Sequence, residues 1–69
     1  MDTMAIYEAI TKADEAARNR PERIRYGQAF MNALPPLLYG LLSGSPHDPF
    51  YQDGRMDAAR QYLYDNATD

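Results

Sequence analysis

The residues equipped to act on a substrate lie in one short stretch, Ser43-Gly44-Ser45-Pro46-His47-Asp48, with Asp53 just beyond it. Serine, histidine and aspartate are the parts of a nucleophilic hydrolase, in which imidazole takes the hydroxyl proton and carboxylate orients the imidazole. That chemistry needs three convergent side chains and an oxyanion site beside them, and neighbours in one short loop rarely converge that way. His47, Asp48 and Asp53 are also metal-ligand types, but the set lacks a cysteine, a second histidine and the ligand spacing of a calcium loop. His47 is the one histidine in the chain and reads as solvent-exposed or structural. The expectation is therefore a protein that is not an enzyme, with no catalytic residues, no metal and no cofactor.

The elements that position this stretch belong to one small domain, residues 1–69, because a chain of 69 residues has no room for a second core. Cysteine is absent, so the fold must rest on packed helices or on self-association, and a homodimer is one expected partner state. No apolar run approaches the length that crosses a bilayer, and Met1-Asp2-Thr3-Met4 lacks the basic start of a signal peptide. A cytoplasmic protein without a membrane partner is expected. Valine is absent, Ile and Thr are sparse, Ala is the commonest residue, and no segment alternates apolar with polar for long. The class is all-α, a small helical bundle of three main helices plus a short leucine-rich one.

The first helix runs from about Thr3 to Arg18, capped by Asp2 or Thr3, with Ile6, Ile10, Ala13 and Ala17 along its inner face. Glu8 with Lys12 and Asp14 with Arg18 are acid-first i, i+4 pairs that mark its solvent side. Asn19-Arg20-Pro21-Glu22 reads as a break and restart, Asn19 capping and Pro21 opening a second helix that carries Ile24, Gly27, Met31 and Leu34. Gly27, in mid-helix, points to close packing against another helix. Pro35-Pro36 ends that helix, and Pro36 starts a short one through Leu37, Leu38, Tyr39, Leu41 and Leu42, closed by Ser43-Gly44. The last helix starts at Asp53 or Gly54 and reaches about Asn66, with Met56, Ala59, Leu63 and Ala67 inward. The expected core is Ile6, Ile10, Ile24, Phe30, Met31, Leu34, Leu41, Phe50 and Leu63.

Two segments form a recognisable linked pair: Arg25, Tyr26, Gly27, Gln28, Ala29, Asn32 and Leu34 in the first, and Gly44, Ser45, Asp48, Pro49, Phe50, Tyr51 and Asp53 in the second. The pair resembles a group of short uncharacterised proteins of tailed phages and prophages, over roughly residues 25 to 63. The resemblance implies a phage or prophage origin, hence the cytoplasm of a bacterial host, and no particular activity. The Pro35-Pro36 pair and the helix before Arg25 depart from the pattern and leave any shared partner open. On the residues themselves, Asp48 can accept a local backbone hydrogen bond, Pro49 suits the first central position of a turn, Phe50 can plug the core, and Asp53 can cap the following helix. Arg25 or Gln28 would then reach the loop carbonyls or Asp48. The alternative leaves Tyr51 and its neighbours as a recognition surface, and both readings stand at this point.

The formal net charge of -3 and the pI near 4.9 count against a nucleic-acid binder. Arg18, Arg20, Arg23 and Arg25 nevertheless crowd one junction, while Asp48, Asp53, Asp57, Asp65 and Asp69 make the last third acidic. Six tyrosines and no tryptophan exceed what so small a core can bury, and tyrosine is enriched at interfaces. The leading expectation is a stoichiometric binder of a host or defence protein, as anti-CRISPR inhibitors are, using Tyr39, Tyr51, Tyr62 and Tyr64. The alternative is a small nucleic-acid-binding regulator that uses the Arg18 to Arg25 cluster.

Overall fold

In the computed structural model, which describes Met1 to Ala67, every regular element is helical; Asp69, one of the acidic set, lies outside the described residues. The chain forms α1 (Thr3–Arg18), α2 (Tyr26–Ala33), α3 (Pro36–Leu42), a 3₁₀ turn (Asp53–Arg55) and α4 (Met56–Ala67). Asp2 caps α1, accepting the Ala5 N–H on its carboxylate at 2.7 Å. Ile6, Ile10, Ala13 and Ala17 are all buried, as their spacing predicts. α1 packs mainly on α2 and also on α4, while α3 rests on α4. None of the helices is long and apolar enough to cross a membrane among the described residues.

The second helix starts later than the sequence predicts, so that the two middle helices are nearly equal in length, 8 and 7 residues. Asn19 ends α1 and does not begin α2: its side-chain amide donates back to the Glu15 carbonyl at 3.0 Å. Arg20 then bridges the Ala17 and Ile24 carbonyls from Nη1 (2.9 Å) and Nε (2.7 Å), holding residues 19–25 as a loop. An arginine that satisfies the orphan carbonyls at a helix end competes directly with restarting a helix there. Ile24 is consequently outside α2 and half-buried.

The core joins α1 to Phe30, Met31 and Leu34, to Leu38 and Leu42, and to Met56, Ala59, Leu63 and Ala67. Leu41 and Phe50, expected inside, only flank it. Pro35 and Pro36 separate α2 from α3 at an extended Leu34, and Gly44, at φ 78°, supplies the left-handed residue that ends α3.

A polar cluster ties three helices together beside this core. Asp14 of α1 accepts from Tyr26 Oη (2.7 Å) and from both Nε (3.0 Å) and Nη2 (2.8 Å) of Arg60 on α4. Arg60 also donates to Asp57 at 2.9 Å. Burial alone would raise the Asp14 carboxyl, but the hydrogen bonds from Arg60 and Tyr26 and the nearby positive charges hold it below its ordinary value. Burial and the Asp14 carboxylate push the Tyr26 hydroxyl upward. The i, i+4 reading of Asp14 with Arg18 is thus superseded: the Asp14 side chain turns inward, 15% exposed, because a forked guanidinium is the stronger partner.

Candidate functional site

The two sequence segments meet, and their contact is a clasp. Gly27 stands in the first turn of α2, and its N–H donates to Asp53 Oδ1 at 2.9 Å. Asp53 therefore caps α2, 26 residues away, and not the helix that follows it. A carboxylate there satisfies one of the orphan N–H groups and complements the positive end of the helix dipole. Arg25, the residue preceding α2, donates from Nη1 to the Tyr51 carbonyl at 2.7 Å. Gln28 is half-buried and makes no hydrogen bond to the loop among those seen in the described residues.

Gly27 packs against the loop and not, as its type suggested, against another helix. A Cβ built on it would stand 2.7 Å from the Pro49 carbonyl carbon and collide with the carbonyl oxygen. Pro49, fully buried, fills the place in the core that the sequence predicts for Phe50, whose ring is half-buried at its edge. The loop is two consecutive turns. Ser45 to Asp48 closes with a 3.1 Å bond and has Pro46 in its first central position, and Pro49 to Gln52 closes with a second at 3.1 Å. Pro49 thus opens a turn whose corner is Phe50-Tyr51. Asp48 holds both turns, accepting from Gly44 N–H (Oδ2, 2.9 Å) and Phe50 N–H (Oδ1, 2.9 Å), while Arg55 donates to the Asp48 carbonyl at 3.3 Å.

Ser45, His47 and Asp48 do not form a relay. Ser45 Oγ accepts the backbone N–H of His47, the Asp48 carboxylate is engaged by backbone donors, and the imidazole lies against the Tyr62 ring, centroids 4.9 Å apart. Among the described residues no three His, Cys, Asp or Glu side chains are placed to hold a metal ion.

The four candidate contact tyrosines separate. Tyr39 and Tyr51 line one shallow concavity of about 210 Å³ together with Ser43, Asp48 and Phe50. Tyr62 and His47 line another, of about 220 Å³, whose remaining wall comes from α4. Tyr64 lies half-buried against the core and lines neither. Tyr51 is 75% exposed and Tyr39 36% exposed, and Leu37, one residue past Pro36, is 57% exposed. Phe50 and Tyr51 meet edge to face, with ring centroids 4.8 Å apart at 63°.

Sequence reasoning missed the Asp14–Tyr26–Arg60 cluster, although a signal existed: Asp14 continues the i, i+4 row of Ile6 and Ile10, which faces inward. Of the four crowded arginines, Arg20 and Arg25 are occupied by backbone carbonyls, so the cluster is in part a structural brace. No protein-family model, curated protein or solved structure matches the chain.

Proposed function

We propose that this protein is a phage or prophage accessory factor that acts without turnover, by stoichiometric binding to a host or defence protein in the manner of an anti-CRISPR inhibitor. The surface is the Tyr39 and Tyr51 face. The observation that carries the reading is that Tyr51, 75% exposed, sits at the corner of a turn whose backbone is pinned by Arg25 and Asp48. An aromatic held out into water on a braced loop loses little freedom on binding, and such residues are the anchors that dominate interface energetics.

The nucleic-acid alternative has less to draw on. With Arg20 and Arg25 committed to carbonyls, Arg18 and Arg23 remain as exposed cations at that junction, in a chain of net charge -3. Self-association is the competing protein-binding reading, favoured by exposed Leu37 on α3. The test is capture from bacterial lysate on immobilised wild type, Tyr51→Ala and Arg18→Ala/Arg23→Ala proteins, with mass spectrometry of what is retained. A protein retained at a fixed ratio by wild type and by the double arginine variant, and lost with Tyr51→Ala, supports the reading. Retention of nucleic acid alone, lost with the arginines, refutes it.

A further inference from the structure

We propose that the concavity between α3 and the Pro49–Gln52 turn is a seat for a single arginine side chain of the partner, an inference that rests on the binding function above. Three aromatic rings border it, Tyr39, Phe50 and Tyr51, and the 63° angle between the last two makes a corner and not a flat stack. Asp48 and Ser43 complete the lining. Aromatic faces attract a cation through the ring quadrupole, and a guanidinium is the cation that can also stack flat on one face while donating from its edge.

The acceptor side is suited to such donors. Each Asp48 carboxylate oxygen takes one backbone N–H, from Gly44 and Phe50, and an ionised carboxylate has about four acceptor positions, so capacity remains on both oxygens. Among the described residues no cation lines the concavity; Arg25 and Arg55 adjoin it, engaged by the backbone carbonyls of Tyr51 and Asp48. The chain's own Arg20 lies over the Tyr26 ring at 5.4 Å, so the same pairing is formed elsewhere in the fold. Size favours one side chain over a metabolite, since about 210 Å³ falls below the roughly 300 to 1,000 Å³ of small-molecule sites. Charge close by is balanced, Asp48 and Asp53 against Arg25 and Arg55, so the attraction for a cation comes from the Asp48 carboxylate in the lining and from the rings.

The experiment is a two-dimensional amide NMR titration of the full chain with N-acetyl-arginine amide, and with N-acetyl-citrulline amide as the uncharged counterpart of nearly the same shape. The arginine probe is expected to shift the amides of Tyr39, Asp48, Phe50 and Tyr51, saturating in about the millimolar range, and to bind at least about fivefold tighter than citrulline. Tyr51→Phe should keep this preference, and Tyr51→Leu, which retains apolar bulk without a ring, should lose it while the remaining spectrum stays in place. Equal shifts from both probes, arginine shifts confined to other acidic surfaces, or unchanged preference in Tyr51→Leu would each overturn the seat. If the seat is overturned while Tyr51→Ala still abolishes partner capture, the binding function survives without it. If arginine binds here and capture is indifferent to Tyr51, the concavity's affinity for arginine stands, but the Tyr51 binding surface fails and with it the use of the seat by a partner.

Discussion

Replacing Gly27 by alanine tests the clasp at its tightest point. A methyl group at this position runs into the Pro49 backbone carbonyl, with the carbonyl carbon only 2.7 Å away. Neither side can yield cheaply, because Pro49 is buried and Gly27 is held by Asp53 at 2.9 Å. Alanine favours a helix over glycine by up to about 1 kcal/mol. Against that stand about 1–3 kcal/mol for overpacking and part of the roughly 1.5–3 kcal/mol of a hydrogen bond to a charged group, strained as α2 recoils. The net expectation is a loss of about 1–4 kcal/mol, a large share of a stability of about 3–10 kcal/mol for a domain of this size. Melting followed by circular dichroism should show Tm lower by about 5–30 °C. Gly40 supplies the control: it lies within α3, with nothing within 4 Å of where its Cβ would stand. Gly40→Ala should raise stability by about 0.5–1 kcal/mol. If Gly27→Ala melts at or above the wild-type temperature, the close approach of α2 to the loop is wrong.

The other expectations follow from the same contacts. Asp53→Ala should cost about 1–2 kcal/mol in urea denaturation, and the first-turn amides of α2, not those of α4, should lose hydrogen-exchange protection. Asp14→Asn should destabilise by about 1–3 kcal/mol at neutral pH. Because the folded Asp14 carboxyl sits below its ordinary 3.8, its contribution is present above that value and is lost as pH falls through the lower folded one. The gap in Tm between wild type and Asp14→Asn should therefore close under acid, and a gap that persists or widens there would contradict the cluster. Leu38→Ala, at a fully buried position, should cost about 2–5 kcal/mol, whereas half-buried Phe50→Ala should cost less, about 1–3 kcal/mol, by thermal melting.

What the sequence makes legible is what short-range spacing decides. The α1 stripe, the Asp2 cap, the break at Pro35-Pro36, the glycine after α3 and the inner face of α4 all follow from neighbours within a turn or two of helix. The errors arise where one group outcompetes another for the same partner, a near neighbour in one case and groups from across the fold in two. Asn19 and Pro21 have the right types to begin a helix, but Arg20 engages the carbonyls on both sides of that junction. Asp53 has the right type and place to cap α4, yet its oxygen faces Gly27 across the fold. Asp14 has Arg18 one turn away and takes Arg60 from α4. The candidate site divides along the same line. Arg25 reaching a loop carbonyl and Asp48 holding its own turn were foreseeable, while the separation of Tyr39 and Tyr51 from Tyr62 and Tyr64 depends on how α3 and the loop lie against α4.

Site-specific photocrosslinking addresses the binding surface most directly. A p-benzoylphenylalanine would replace Tyr51 in one protein and exposed Tyr7, on α1, in another, each expressed in bacteria and illuminated in the cell. The Tyr51 position should give one discrete adduct with a second protein, and the Tyr7 position should give none. An adduct from position 7 alone, or an adduct from position 51 whose mass is that of two copies of this chain, would contradict a partner-binding Tyr39 and Tyr51 face.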